Sequence, residues 1–534
     1  MHRQTSLYLI VIGVFMLLIS GSFLSEGVSR AGMDNAIVSQ RMAEGFEDFW
    51  MPSLSSPGNP DRQNYLPLGY WLESKWYAVF GDNSFMAEKV YSVMTYFILA
   101  ALIIWIWSLI GHHRRTGWLP LLCWITIPIV SWSATNNLLE STMTMFILLS
   151  VAFMIKGYKA LHILRARKAV DKRTGRYQMS RMAWVFLSAL MMELAFLVKG
   201  FSGLFPVILP FLYWLMVRRE RVVVPIVTTS LILIVWMTTL FVVIFVSPDT
   251  YSHLYNYLHH QMIGGVLHVK TVESRFYILY VLLSQGVIPI LVMLTICILR
   301  LKSRPFYHHL FFWRFGNKLT ADQMNRNKTG WFFFILGLSG IVPIMIGLKQ
   351  QEFYIVPTLP FFAIAMSCLI YNLIEDWLEN MNKVAEYVLG GLAIIIFGSA
   401  LVLNISSIHK VNSNHVLIGD MKIILPYLDE GETICVSREI MESPEIAEFF
   451  YRYKKINFDT VPDKAHMMTL FSQTKEYRNN SHYSIMDLPT NFYSLYSAVE
   501  QDSLSSDLPM LGADSTSVCD SAYTTSVNVN YEEQ

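Results

Sequence analysis

Charge is scarce in this 534-residue chain: Asp, Glu, Lys and Arg make up 15% of it, against 53% for hydrophobic residues. The formal net charge of +1 offers no basic field for a nucleic acid. Cysteine is thin too, with five residues and no C-x-x-C or metal-ligand spacing, so neither a dithiol redox motif nor a zinc module is present. Walker and G-x-G-x-x-G patterns, internal repeats and low-complexity tracts are all missing, which removes phosphate-loop, dinucleotide and solenoid readings. In their place stand long apolar runs, 14% aromatic residues and a mean hydropathy of +0.39. Such a chain is a polytopic membrane protein.

Runs of roughly 17 to 25 apolar residues match the thickness of a bilayer core. They fall at Ser6 to Leu24, Tyr91 to Ile110, Trp118 to Trp132, Leu138 to Ile155, Ala183 to Val198, Phe201 to Val217, Val222 to Val246, Phe276 to Leu299, Trp331 to Leu348, Phe353 to Ile374 and Val384 to Leu403. The expectation is an all-α membrane domain of about eleven spans over residues 1–403. The third and fifth runs are short, which suits a split or re-entrant helix. The first has basic residues at its start but no clean small-residue cleavage site after it, and reads as an anchor.

Charge distribution sets the orientation. The loop from Lys156 to Arg181 holds Lys159, Arg165, Arg167, Lys168, Lys172, Arg173 and Arg176 against Asp171 alone, and Arg300 to Lys328 is similarly basic. These loops are expected in the cytoplasm with the N-terminus, in the inner (plasma) membrane of a bacterium. The acidic loop from Glu375 to Lys383 dissents, but acids weigh little in this rule. The opposite, periplasmic or external face then receives the loop over residues 25–90, the turn from Ser133 to Asn137, the "KGFSG" corner, the loop from Ser247 to Arg275, the "KQQE" corner and residues 404–534. From His415 the chain is polar, with a strand-like "ETICVS" and a helical "SPEIAEFFYRYKK". It is expected to form a small external α/β domain with a disordered, Ser-rich tail and a capping or partner-contact role.

Several polar groups gather on that external face. Asp34 follows the first span, Glu140 lies one turn into the fourth, Lys199 closes the fifth, and Lys349 stands at a later corner. Taken singly, an acid at a helix start and a snorkelling lysine need no function. Two carboxylates and two lysines beside a loop rich in Trp, Tyr and Pro suit an anionic, lipid-linked substrate. In that loop Met42, Phe46, Phe49 and Trp50 can form the apolar stripe of an interfacial helix, and Tyr65, Tyr70 and Trp71 sit at headgroup level, where an aromatic belt would also place them.

In order and at about the expected spacing, "GMDNAIVSQRMAEGFEDFWMP", "LPLGYWLESKWYAVFGDNSF", "NNLLESTMTMF", "LVKGFSGLFPVILP" and "LKQQEFYIVPTLPFFAIA" resemble the lipid A aminoarabinose transferase and protein O-mannosyltransferase group of GT-C glycosyltransferases. The resemblance implies a GT-C membrane domain, catalytic acids at Asp34 and Glu140, a Lys-Gly corner at Lys199 and Gly200, and a later Lys and Tyr at Lys349 and Tyr354. This chain departs from the aminoarabinose transferases at three places. Tyr65, Leu66 and Pro67 stand where a Lys-Pro is expected, Ile37 replaces an Arg, and His259 with His260 replaces a Glu-His. Arg62 or Lys75 is the candidate substitute for the missing donor-phosphate cation.

No cytoplasmic loop can house a nucleotide-sugar domain, so a polyprenyl-phosphate-linked sugar is the expected donor. Lys199, Lys349, Arg62 and Tyr354 would hold its phosphate as negative charge grows there. Asp34 would orient or deprotonate the acceptor, with inversion at the anomeric carbon, and Glu140 would support it or act as base. Tyr65, Tyr70 and Trp71 would meet a lipid, glycan or protein acceptor and the membrane lipids. No cofactor is certain; a divalent metal at His259, His260 and Glu73 competes with plain interfacial histidines hydrogen-bonded to loop backbone. Two rival functions are a secondary transporter coupled through Glu193 and a lipid-binding envelope protein without catalysis.

Overall fold

Seven helices among the described residues are long and apolar enough to cross a membrane, eight when a bent pair counts as one span. The structure is a computed structural model. It describes residues 3–45, 49–50, 52, 66–81, 86–167, 174–217, 221–246, 248–301, 321–379, 381, 383–408, 410–411, 415–441, 443–460, 464–470, 472 and 483–498. Two units separate: Met1–Ser53 with Gln63–Asn412, and Leu54–Arg62 with Ser413–Gln534.

The first unit is helical. Helix α1 (Arg3–Leu18) leads to two shorter helices, α2 (Arg30–Glu44) and α3 (Leu68–Phe80). Ser29 caps α2 by accepting the Gly32 amide at 3.4 Å, and Gly45, with φ +80°, ends it in the left-handed region that glycine tolerates. The apolar stripe expected from Met42 to Trp50 is therefore interrupted at Gly45; residues 46–48 lie outside the described ones. Met33, Ala36, Ile37 and Gln40 recur at helical spacing and form the buried side of α2.

Helix α4 (Met86–Leu109) carries Lys89, 1% exposed, whose ammonium donates to the carbonyls of Ser22 at 2.6 Å and Ser25 at 2.5 Å and so fixes the chain between α1 and α2. Next, α5 (Trp118–Ile125) and α6 (Pro128–Ala134) meet at an 89° bend, within the third run expected as a short or split span. Pro128 lacks an N–H and holds Ile127 extended, while the Thr126 hydroxyl turns back to the Leu122 carbonyl at 2.9 Å.

Helices α7 (Leu139–Arg167) and α8 (Thr174–Lys199) pair along buried small residues, where Ser150 and Ser188 hydroxyls meet at 2.9 Å. Apolar helical chain runs on from Arg181 to Met216, 36 residues, too long for one crossing at about 1.5 Å per residue. The α-helix is broken there at Lys199 (φ −148°) and Gly200 (φ +83°), the chain goes on as a 3-10 stretch Gly200–Ile208 and a helix Leu209–Val217, and a Cβ on Gly203 would come within 2.8 Å of the Ala195 carbonyl carbon. Further spans cover Val223–Phe245, Tyr277–Thr295, Glu352–Tyr371 and Lys383–Ser406.

In the second unit, β1 (Thr433–Val436), β2 (Asn457–Asp459), β3 (His466–Leu470), β4 (Tyr483–Ile485) and β5 (Tyr493–Ala498) form a mixed sheet in the order β2-β1-β3-β5-β4. The β1–β2 and β1–β3 pairs are parallel, and β5 is antiparallel to both β3 and β4. Cys435, Met467, Tyr483 and Tyr496 cluster in its core. The buried Asp420 carboxylate accepts the amides of Asn491, Phe492 and Tyr493 at 2.8, 2.7 and 3.2 Å, which ties the helix His415–Ile424 to the approach to β5.

Candidate active site

Two short sequence corners and one helix start meet in the first unit. Glu140 sits in the first turn of α7, where an acid complements the helix dipole, and is 1% exposed. Lys199 closes α8, and its ammonium forms an ion pair and hydrogen bond with Glu140 Oε1. A carboxylate this enclosed needs such a partner, since an uncompensated buried charge is costly. Its other oxygen, Oε2, is buried with no hydrogen-bond partner among the described residues.

The "KQQEFY" corner closes over the same ammonium. The Phe353 and Tyr354 rings each lie 5.3 Å from Lys199 Nζ, within cation–π range. Lys349 is near enough that burial first, and the Lys199 charge second, lower its pKa below the ordinary lysine value. This corner is held by Gln350, whose side chain donates to the carbonyls of Arg275 at 3.0 Å and Gly347 at 2.9 Å and accepts the Ile278 amide at 2.9 Å. Thr271 adds two bonds, donating to the Gln350 carbonyl at 2.9 Å and accepting its amide at 2.8 Å. Two ammonium groups and one buried carboxylate leave a local excess of positive charge suited to a phosphate.

Tyr257 opens an eight-residue π-helix, Tyr257–Gly264, and its hydroxyl occupies the space a side chain at Gly200 would need. Burial pushes that hydroxyl up to about 12, so it is a neutral hydrogen-bonding group at physiological pH. His259 lies in the same π-helix with its ring 5.6 Å from that of Tyr255; the His260 side chain lies outside the described residues. No group of three His, Cys, Asp or Glu among the described residues could hold a metal ion. Glu73 is 0% exposed on α3, and its oxygens accept hydrogen bonds from Asn137 at 2.6 Å and Ser39 at 2.9 Å.

Asp34 is half-buried on α2. Its helix is docked to the turn that opens α7: Ser29 N donates to Asn136 Oδ1 at 2.7 Å, Asn35 donates to the Asn137 carbonyl at 2.9 Å, and a Cβ on Gly32 would collide with the Asn136 carbonyl. Tyr70 is 1% exposed and its hydroxyl reaches Asn35 at 3.4 Å, so it braces α2 from within. Trp71 is exposed, with the Lys75 ammonium 4.8 Å from its ring centroid. Arg62 and Tyr65 lie outside the described residues.

The structure thus brings together Glu140, Lys199, Lys349 and Tyr354. It adds residues that sequence reasoning passed over: Asn35, Asn137, Tyr257 and Gln350. Only Asn137 left a local trace, the "NN" pair before "LLEST", whose second Asn takes φ +51°.

The fold has known counterparts. ArnT from Cupriavidus metallidurans in the apo state shares the fold with a TM-score of 0.56 at 13% identity, over 92% of this chain and 97% of that one. The same protein bound to undecaprenyl phosphate gives 0.55 at 13% identity, over 92% and 98%. No family model and no curated protein matches the chain. The chain therefore has the fold of ArnT, in an integral membrane protein with a small C-terminal sheet region.

Proposed function

We propose that this chain is a membrane glycosyltransferase that moves a sugar from a polyprenyl-phosphate donor to a lipid, glycan or protein acceptor on the external face. One observation carries the reading: Lys199, paired with the buried Glu140 and joined by Lys349 and Tyr354, makes a cationic cluster in a fold shared with a protein solved bound to undecaprenyl phosphate.

Breaking the bond between the sugar and the donor phosphate leaves negative charge on the phosphate oxygens. Lys199 and Lys349 stabilise that charge where it develops, and the neutral Tyr354 and Tyr257 hydroxyls donate hydrogen bonds beside it. Glu140 fixes the Lys199 ammonium through Oε1. Asp34 takes the acceptor's proton if the acceptor is an alcohol and orients it if it is an ionised phosphate. In-line attack inverts the anomeric centre. The basic loops support an N-terminus in the cytoplasm and a site on the outer side of a bacterial plasma membrane.

The test uses purified chain in liposomes with a radiolabelled polyprenyl-phosphate sugar and an envelope lipid and glycan extract. Transfer that is lost in Lys199→Ala and retained in Lys156→Ala supports the proposal. Equal loss in both variants would mean that the lysine acts through insertion, and no transfer by the parental chain to any acceptor would sink the reading.

A further inference from the structure

Glu73 has no part in the chemistry above, yet its carboxylate is wholly enclosed and divided between two elements. Oε2 accepts from Ser39 on α2 at 2.9 Å, and Oε1 accepts from Asn137 at 2.6 Å, in the turn that opens α7. Asn137 Nδ2 also reaches the Gly32 carbonyl at 3.3 Å, and Asn35 donates to the Asn137 carbonyl at 2.9 Å. Along the chain Asp34 stands between Gly32 and Asn35, and Glu140 follows Asn137 by less than one helical turn. The segments that carry the candidate base and the candidate ammonium-holding acid are therefore joined by direct bonds and, from α3, by this carboxylate.

We propose that Glu73 is a positioning residue: its hydrogen bonds to Ser39 and Asn137 set the register of the Asp34 helix against the Glu140–Lys199 pair. An anion is suited to this task because both its oxygens only accept, so both neighbours must turn their donors toward it. The Ser29–Asn136 and Asn35–Asn137 bonds join α2 directly to the α7 turn, and Glu73 adds a third element to the joint by holding Ser39 and Asn137 at once from α3. The inference rests on the catalytic reading for its kinetic half and on geometry alone for its mechanical half.

Two measurements on full-length chain in nanodiscs test it. Glu73→Ala leaves the Asn137 and Ser39 donors facing an empty space. It should lower kcat by roughly tenfold to a hundredfold, the scale of a misplacement near one ångström, with donor KM held within about twofold. Hydrogen exchange should rise across α2 while α7 and α8 stay protected. Glu73→Gln keeps an acceptor for Asn137 and can donate to the Ser39 hydroxyl, so it should recover most of kcat and all of the protection. Unchanged exchange in α2 of Glu73→Ala overturns the mechanical claim. Raised exchange with parental kcat overturns the kinetic one, provided that Asp34→Asn is inactive. Parental turnover in Asp34→Asn removes the catalytic reading itself, a separate failure that leaves the exchange result to decide the mechanical half.

Discussion

The inner and outer spans of the membrane unit contrast in a direction that a soluble protein would reverse. The span windows in Leu139–Lys159 and Glu352–Tyr371 are 72% and 78% buried inside the protein, whereas those in Val223–Phe245, Tyr277–Thr295 and Lys383–Ser406 are 11%, 17% and 17% buried. The most enclosed helices carry Glu140 and Tyr354 and are less apolar than these outer three. Lipid is as apolar as any side chain, so burying hydrocarbon between membrane helices gains little, and polar groups are kept where protein rather than lipid surrounds them. The inner helices are thus specified by their polar contacts and the outer ones by solubility in the bilayer.

Substitutions at the inner polar groups should break function, and substitutions at the outer rim should not. Asp34→Asn keeps the size of the side chain and removes its basicity, so transfer should fall by about a hundredfold or more while insertion survives, measured as initial rate per mole of reconstituted chain. A parental rate would make Asp34 a plain helix residue. Lys199→Ala should cost roughly a hundredfold in kcat, comparable to deleting one donor from a site of developing negative charge. Arginine there should rescue only in part, because a planar fork does not reproduce a compact ammonium against Glu140.

A smaller effect is expected from pH. Burial and the Lys199 charge lower the Lys349 pKa, so its ammonium loses its proton at a lower pH than an ordinary lysine. Only the charged form attracts phosphate, so donor KM should begin to rise below the usual lysine range and flatten in Lys349→Ala. An identical pH profile in the two proteins would remove Lys349 from the donor site. Last, Phe241 and Phe245, 68% and 81% exposed on an outer helix with rings 6.4 Å apart, should tolerate joint replacement by Leu with less than about a twofold change in rate. A large loss there would show that the rim is an interface, and the contrast would have to be redrawn.

Much of the membrane fold could be read in the sequence because lipid imposes one crude rule on every span: length and apolarity. The helix break at Lys199 and Gly200 was legible as two runs split by a Lys-Gly pair, and the kink before Pro128 as a run too short to cross. The candidate site was legible in parts. Lys199 and Glu140 stood out as charges at span ends, but their pairing did not, since 59 residues separate them. Tyr70 carries the same aromatic signal as Trp71, and only packing distinguishes the buried brace from the exposed ring. The Glu73–Asn137 bond gave no sequence signal, because both residues look like ordinary loop or helix polar groups until α3 and the α7 turn are brought together.

The corner at Gly200 also bears on how the protein is made. The helix that ends at Lys199 passes through a left-handed glycine straight into a second apolar segment with no polar loop between them, so the two apolar segments follow each other into the bilayer without a pause. The Tyr257 hydroxyl fills the space that a side chain at Gly200 would need and so seals the break from the side. Since Tyr257 is synthesised after both spans are complete, the seal on this corner arrives late. An assembly intermediate truncated before it should hold the same two helices with an unsealed, protease-sensitive bend.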